Sequence, residues 1–227
     1  MKQTLLLLIS SIAMTCFANA ATLIDFSNAT AAGAGADSNG NFWTTVGGSL
    51  GSGADVSAFN LIDSTNTATT IDLSVDFSAT DRNGWGGNGI NGPTGSNPFD
   101  QSFAVIDGIY SNTTGGLVTL TFSDLAVSTV YDLSLIGGRA TLGSDGPIAI
   151  TTGTGSGGTL KNDGTQLDLS ITSSALGEIA FTFVDTNDNF NNSTVLNAMS
   201  IAVVPEPSSA AALIGLCSLA LVLRRRR

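Results

Sequence analysis

The side chains with the most chemical potential in this sequence are oxygen ligands. Asp185-Thr186-Asn187-Asp188-Asn189-Phe190-Asn191-Asn192 gathers carboxylates and amides into one short stretch, the hard-oxygen set that calcium takes. Asp185, Asn187, Asp188 and Asn189 are the expected ligands. The spacing is not that of an EF-hand loop: Phe190 stands where its glycine is required, and Leu196 where its bidentate glutamate belongs. Asp and Asn also build turns without any ion. Calcium is therefore the one cofactor the sequence offers, with plain turn formation as the alternative. Asp25 and Asp63, each following apolar strand residues, are a lesser oxygen pair.

Trp85 is the candidate for a sugar ligand. It lies in Asn83-Gly84-Trp85-Gly86-Gly87-Asn88-Gly89, a glycine-rich stretch read as a loop with little to bury an indole. An exposed indole face accepts the C–H groups of a pyranose ring. The competing expectation is that the loop folds back and Trp85 plugs the end of the fold. Trp43, in Phe42-Trp43-Thr44-Thr45-Val46, reads as a core residue on a strand.

Catalytic constellations are missing from this inventory. The chain has no histidine, which removes Ser-His-Asp and Cys-His catalysis and the commonest zinc and copper ligand sets. Glycoside hydrolysis needs two carboxylates across a cleft. Between residues 21 and 204 Glu178 is the only glutamate, in a strand-entry turn, and no aspartate stands in a recognisable motif. Lys161 sits in Leu160-Lys161-Asn162-Asp163-Gly164, a hairpin-turn sequence with an exposed lysine. The expectation is a protein that is not an enzyme, with a hydrolase as the weakest reading.

The elements that must position these residues are strands. Ile71, Leu73, Val75 and Phe77 alternate with polar residues, as do Val118, Leu120 and Phe122. Tyr131, Leu133 and Leu135 do the same before Gly137-Gly138 stops the run. Leu167, Leu169 and Ile171 repeat the pattern, then Ile179, Phe181 and Phe183, and Val195, Met199, Ile201 and Val203 form a last strand. Period-two alternation buries one face and wets the other. No segment of the body carries a helical stripe. About ten short strands separated by Gly/Asn/Asp-rich turns predict an all-β antiparallel sandwich, jelly-roll-like in architecture.

Both ends of the chain differ from this body. Lys2, an apolar stretch over residues 5–14 and Ala18-Asn19-Ala20 make a signal peptide over 1–20, cleaved to leave Ala21 first. Cys16 raises a lipoprotein alternative, with Ala13-Met14-Thr15 a poor approach to a lipidated cysteine. At the other end Pro205-Glu206-Pro207 precedes an uncharged apolar run over 208–223 and then Arg224, Arg225, Arg226 and Arg227. A sixteen-residue helix would reach about 24 Å, short for a hydrocarbon core of roughly 30 Å. The arginine stems can make up the difference and hold that end in the cytoplasm. Pro205 and Pro207 stop a helix from running upstream. The organisation read from this is a signal peptide at 1–20, a sandwich ectodomain at 21–203 and a membrane tail at 204–227. Cys217, inside the run, is a small apolar filler.

Composition bounds the partners. Residues 21–204 hold seventeen acidic residues against Arg82, Arg139 and Lys161, a surface that repels nucleic acid and anionic lipid. The same residues contain no cysteine, so no disulfide holds the body although it is exported. Val204-Pro205-Glu206-Pro207-Ser208, the Ala/Leu/Gly-rich run and the arginine block resemble the PEP-CTERM proteins of exopolysaccharide-producing Gram-negative bacteria. That resemblance implies an exosortase, a membrane-embedded cysteine protease, as partner at the inner membrane. It also implies export to the cell surface or extracellular matrix after the tail is processed.

A second resemblance runs thinly through the body. It rests on Leu23-Ile24-Asp25-Phe26, Phe42-Trp43, Leu61-Ile62-Asp63, Leu125 with Tyr131-Asp132-Leu133, Gly177-Glu178-Ile179 and Val195-Leu196-Asn197-Ala198-Met199. These resemble bacterial jelly-roll domains of the galactose-binding and malectin-like kind. That implies carbohydrate binding without catalysis, with polysaccharide as partner. A structural or adhesive matrix protein without a small ligand is the alternative.

Overall fold

The computed structural model describes residues 20–27, 36–47, 54–77, 84–87, 99, 107–111, 117–138, 145–184 and 194–205. Every regular element among them is a strand. Their order is β1 (Thr22–Ser27), β2 (Thr44–Gly47), β3 (Val56–Ala58), β4 (Asp72–Phe77), β5 (Gly84–Gly87), β6 (Asp107–Ser111), β7 (Leu117–Ser123) and β8 (Val130–Ile136). After them come β9 (Gly146–Thr152), β10 (Thr154–Gly155), β11 (Gly158–Leu160), β12 (Leu167–Thr172), β13 (Ile179–Val184), β14 (Thr194–Leu196) and β15 (Ala198–Val203). Residues Ala20–Val203 form one compact unit. Among the described residues no helix is long and apolar enough to cross a membrane. Residues 1–19 of the expected signal peptide, Ala18 among them, and the tail from Glu206 through Pro207 and the apolar run to residues 224–227 lie outside the described residues.

Two six-stranded sheets carry the fold, in the orders β10-β12-β8-β15-β1-β2 and β11-β9-β13-β7-β4-β3. Ile24, Phe26, Leu133, Leu135, Met199 and Ile201 of the first pack on Leu73, Val75, Leu120, Phe122, Phe181 and Phe183 of the second, all buried in one cluster. This is the inward half of each alternating pattern. Its burial drives the fold, at about 25 cal/mol for each Å² of apolar surface removed from water. Pairing is antiparallel throughout except for β1 and β2, which run parallel.

A third sheet, β14-β6-β5, was not expected from the sequence. It arises because the run read as one last strand is two. The chain breaks at Asn197, whose N–H donates to the Ile136 carbonyl and whose own carbonyl accepts from the Phe26 N–H. Residues before the break pair with β6, and residues after it pair with β1 and β8. With β6 packed against β1, all six residues of β1 are buried. The outward side of β1 meets a small second cluster of Leu23, Trp43, Phe99, Ile136 and Ala198, with Trp43 and Phe99 edge to face at 6.1 Å.

One end of the sandwich is tied by hydrogen bonds between the β7–β8 and β12–β13 loops. The Tyr131 hydroxyl accepts from the Ala126 N–H at 2.9 Å, and burial pushes its pKa up. Ser173 Oγ donates to the Ala126 carbonyl at 2.6 Å and accepts from the Thr129 N–H at 3.0 Å. Leu125 N–H donates to the Gly177 carbonyl at 3.0 Å.

Candidate functional site

The outward face of the first sheet divides in two. Over β1 and the start of β15 it is covered, and Leu23, Asp25, Ser27, Ile136 and Ala198 are buried there. Over β8 and β12 it carries polar side chains. Cross-strand register sets Asp168 opposite Ser134 and Ser170 opposite Asp132. Ser134 in turn faces Ser200, and Asp132 faces Ala202. Asp132, Asp168 and Ser170 are exposed, and Ser134 is half-buried.

This polar patch is held in place. Ser134 Oγ donates to Asp168 Oδ1 at 2.6 Å, and Gln166 Nε2 donates to the same oxygen at 2.7 Å. Asp132 and Asp168 are diagonal neighbours on the adjacent strands, with Cα atoms about 7–8 Å apart by strand geometry. Carboxylates and hydroxyls in a row on a rigid sheet suit a ligand rich in hydroxyl groups, since charge-assisted bonds to hydroxyls are strong and directional. The sequence marked Asp132 and Ser134 only as the wet half of a strand. The signal for a site lay in pairing that strand with Leu167-Asp168-Leu169-Ser170, and register is not visible in one strand alone.

The structure places the expected site residues as follows. Trp85 is on strand β5, not on a loop, and its register partner on β6 is Ile109, which is fully buried in the main core. Glycines flanking a tryptophan read as loop by propensity, and pairing with β6 overrides that propensity here. Asp185, Asn187, Asp188 and Asn189 lie outside the described residues. Among the described residues no group of three or more His, Cys, Asp or Glu gathers in ligand geometry. Asp25 and Asp63 have different surroundings. Asp25 is buried on β1 opposite Ala198 and Thr45. Asp63 spends Oδ1 on its own turn, accepting from Thr65 N, Thr65 Oγ1 and Thr67 N at 2.7–2.9 Å.

Trp43 is buried as a core residue, although it stands just ahead of β2 and not on a strand. Its Nε1–H donates to Asp37 Oδ2 at 2.8 Å, while Oδ1 accepts from the Asn39 and Asn41 N–H groups. Burial raises the Asp37 pKa, but the hydrogen bonds from Trp43, Asn41 and Asn39 outweigh it and leave the value below the ordinary one. A lowered folded-state pKa contributes stability above the unfolded value, about 3.9, and loses it as pH falls through the folded value. Wild type should therefore lose stability and change Trp43 emission as the pH falls below about 4. Asp37→Asn should flatten that step in a fluorescence titration, and an unchanged step would assign it to other carboxylates. Lys161 is exposed and paired with Asp145 at 2.6 Å, which raises the lysine pKa and lowers that of Asp145. A lysine held that way is a poor base.

Of the tail, the structure describes its first residues. β15 ends at Val203, and the exposed Pro205 follows two positions later. Ala20 and Ala21, flanking the expected cleavage point, are half-buried ahead of β1. Residues 203–227 match the PEP-CTERM protein-sorting motif, a signal recognised by the membrane protein exosortase and one that marks export.

No curated protein matches the chain. Among solved structures, one match is a chain from the complex of the plant peptide RALF23 with FER and LLG2. It has 11% identity and a TM-score of 0.44, and the match covers 83% of this chain and 41% of that one. The chain thus spans about two fifths of that protein's length. Another match is the CBM36-1 domain of a multidomain xylanase from the hindgut metagenome of Trinervitermes trinervoides. Its identity is 16% and its TM-score 0.31, covering 56% of this chain and 96% of that one. The ANXUR2 extracellular domain from Arabidopsis thaliana matches at 13% identity and a TM-score of 0.36, covering 66% and 54%.

Proposed function

We propose that this is a non-catalytic, polysaccharide-binding protein of the cell surface or extracellular matrix, delivered there by exosortase processing of its tail at the inner membrane. The tail over 208–223 spans the membrane before processing, and the arginines remain in the cytoplasm. The strand order supports a jelly-roll-like reading of the body: β2-β1-β15-β8-β12-β10 faces β3-β4-β7-β13-β9-β11. The glycan site is the polar face of β8 and β12. One observation carries this choice: Asp132, Ser134, Asp168 and Ser170 form the open half of a sheet whose other half is covered. The surplus of acidic groups favours neutral or amino sugars over anionic ones.

The test is retention of the protein on neutral polysaccharide, with and without calcium. Asp132→Ala combined with Asp168→Ala should weaken binding about tenfold or more, because each tenfold corresponds to about 1.4 kcal/mol. Exposed strand positions should tolerate the change with an unaltered melting temperature. Unchanged retention would remove the site from this face. No retention by wild type would favour the purely structural reading. A calcium-dependent signal would point to the oxygen-rich stretch at 185–192.

A further inference from the structure

Large apolar side chains are unevenly exposed on this sandwich. Phe59 is 71% exposed, Val127 59%, Leu176 80% and Leu117 40%. Strand register assigns each to an end. Thr22 pairs with Ile201, Val203 with Tyr131, and Val130 with Thr172. The start of β1, the end of β15 and the loops at 124–129 and 173–178 therefore share one end. Val127 and Leu176 project from these two loops, which are joined by the Ser128 N–H to Ser174 carbonyl bond. Phe59 follows β3 at the same end, where Thr70 Oγ1 reaches the Asp124 carbonyl at 3.2 Å. Leu117 opens β7 at the far end.

The chain leaves for its apolar run from that same end. Only residues 204–207 separate β15 from the run at 208–223, and four residues span at most about 14 Å. We infer that this end of the sandwich docks on the lipid surface while the tail is anchored, with Val127 and Leu176 entering the interfacial layer and Phe59 at its rim. The inference rests on the membrane-anchored reading of the tail. A lipid surface is the occupant favoured by the short tether and by apolar side chains set on adjacent loop tips. The loops carry Asp124 and Glu178, and the one described basic residue, Lys161, is on the β11–β12 turn at the far end. Docking is thus hydrophobic, and anionic lipid weakens it. Its consequence is to hold Pro205-Glu206-Pro207 at the bilayer surface, where a membrane-embedded protease works.

The uncut chain, with Cys16 and Cys217 replaced by alanine, is reconstituted into phosphatidylcholine vesicles free of other protein. Single cysteines at Val127→Cys, Leu176→Cys and Thr165→Cys carry an environment-sensitive fluorophore. The expected result is a blue shift and quenching by spin-labelled lipid at 127 and 176, none at 165, and a smaller effect in anionic vesicles. Water-exposed probes at 127 and 176 in chain that resists alkaline extraction would overturn the docking and leave the anchor intact. Extraction of the whole chain by alkali would overturn the anchor and the docking with it. A blue shift that needs no vesicles and rises with protein concentration would mean a second copy covers the patch, which also overturns the proposal.

Discussion

Glu206→Ala should leave the full tail attached, with the protein held in the membrane fraction and residues 224–227 present in its intact mass. Glu206 is the only charged residue between Val203 and the arginines. The prolines on either side restrict the backbone to extended conformations that a protease can grip. Removing a carboxylate that accepts hydrogen bonds in such a site costs about 1.5–3 kcal/mol, which slows processing by roughly tenfold to a hundredfold. Glu206→Asp should recover part of the rate, because it keeps the charge and shortens the reach. Wild-type processing in the alanine variant would remove the tripeptide from recognition.

Gly177→Ala should strongly destabilise the sandwich. Gly177 has φ +73, and a Cβ there would overlap the Leu125 carbonyl oxygen. Its N–H donates to Ser174 and its carbonyl accepts from Leu125, so the turn cannot open without releasing the neighbouring loop. The left-handed conformation alone costs about 1–2 kcal/mol for a residue with a Cβ. With the overlap, a destabilisation of about 2–4 kcal/mol follows, seen as a fall in melting temperature of roughly 5–15 °C. Gly40→Ala is the control. Gly40 has φ +82 with open space around it, so it should show the conformational cost without the clash. Equal destabilisation at both positions would mean the overlap with Leu125 is relieved by movement of the loop.

The sandwich was legible where one face is wet. β4, β7, β8 and β12 each show alternation in sequence and the matching burial in structure. Alternation fails where both faces are covered. β1 reads Thr-Leu-Ile-Asp-Phe-Ser and is buried at every residue, because a third sheet lies on its outer side. That sheet was invisible for a related reason: β14 and β15 form one apolar run, and only the pairing on either side of Asn197 separates them. β9, in Gly-Pro-Ile-Ala-Ile-Thr-Thr, puts exposed Pro147, Ala149 and Thr151 on its wet side, so a single polar residue at its end marks the period.

The candidate site was half legible. Pro205 and its successors stand out because charge, proline and apolar length are properties of consecutive residues. Asp132 and Asp168 are thirty-six positions apart, and the β8–β12 register is what brings them to one face. Trp85 drew attention through its glycines, and those glycines belong to a paired strand.

The account depends on a folded acidic body that leaves the cell after losing both ends. Its most direct test is the intact mass of the protein recovered from the cell surface or matrix. The account predicts a chain that starts at Ala21 and lacks residues 224–227. A protein found in the cytosol with its leader and arginines in place would contradict it.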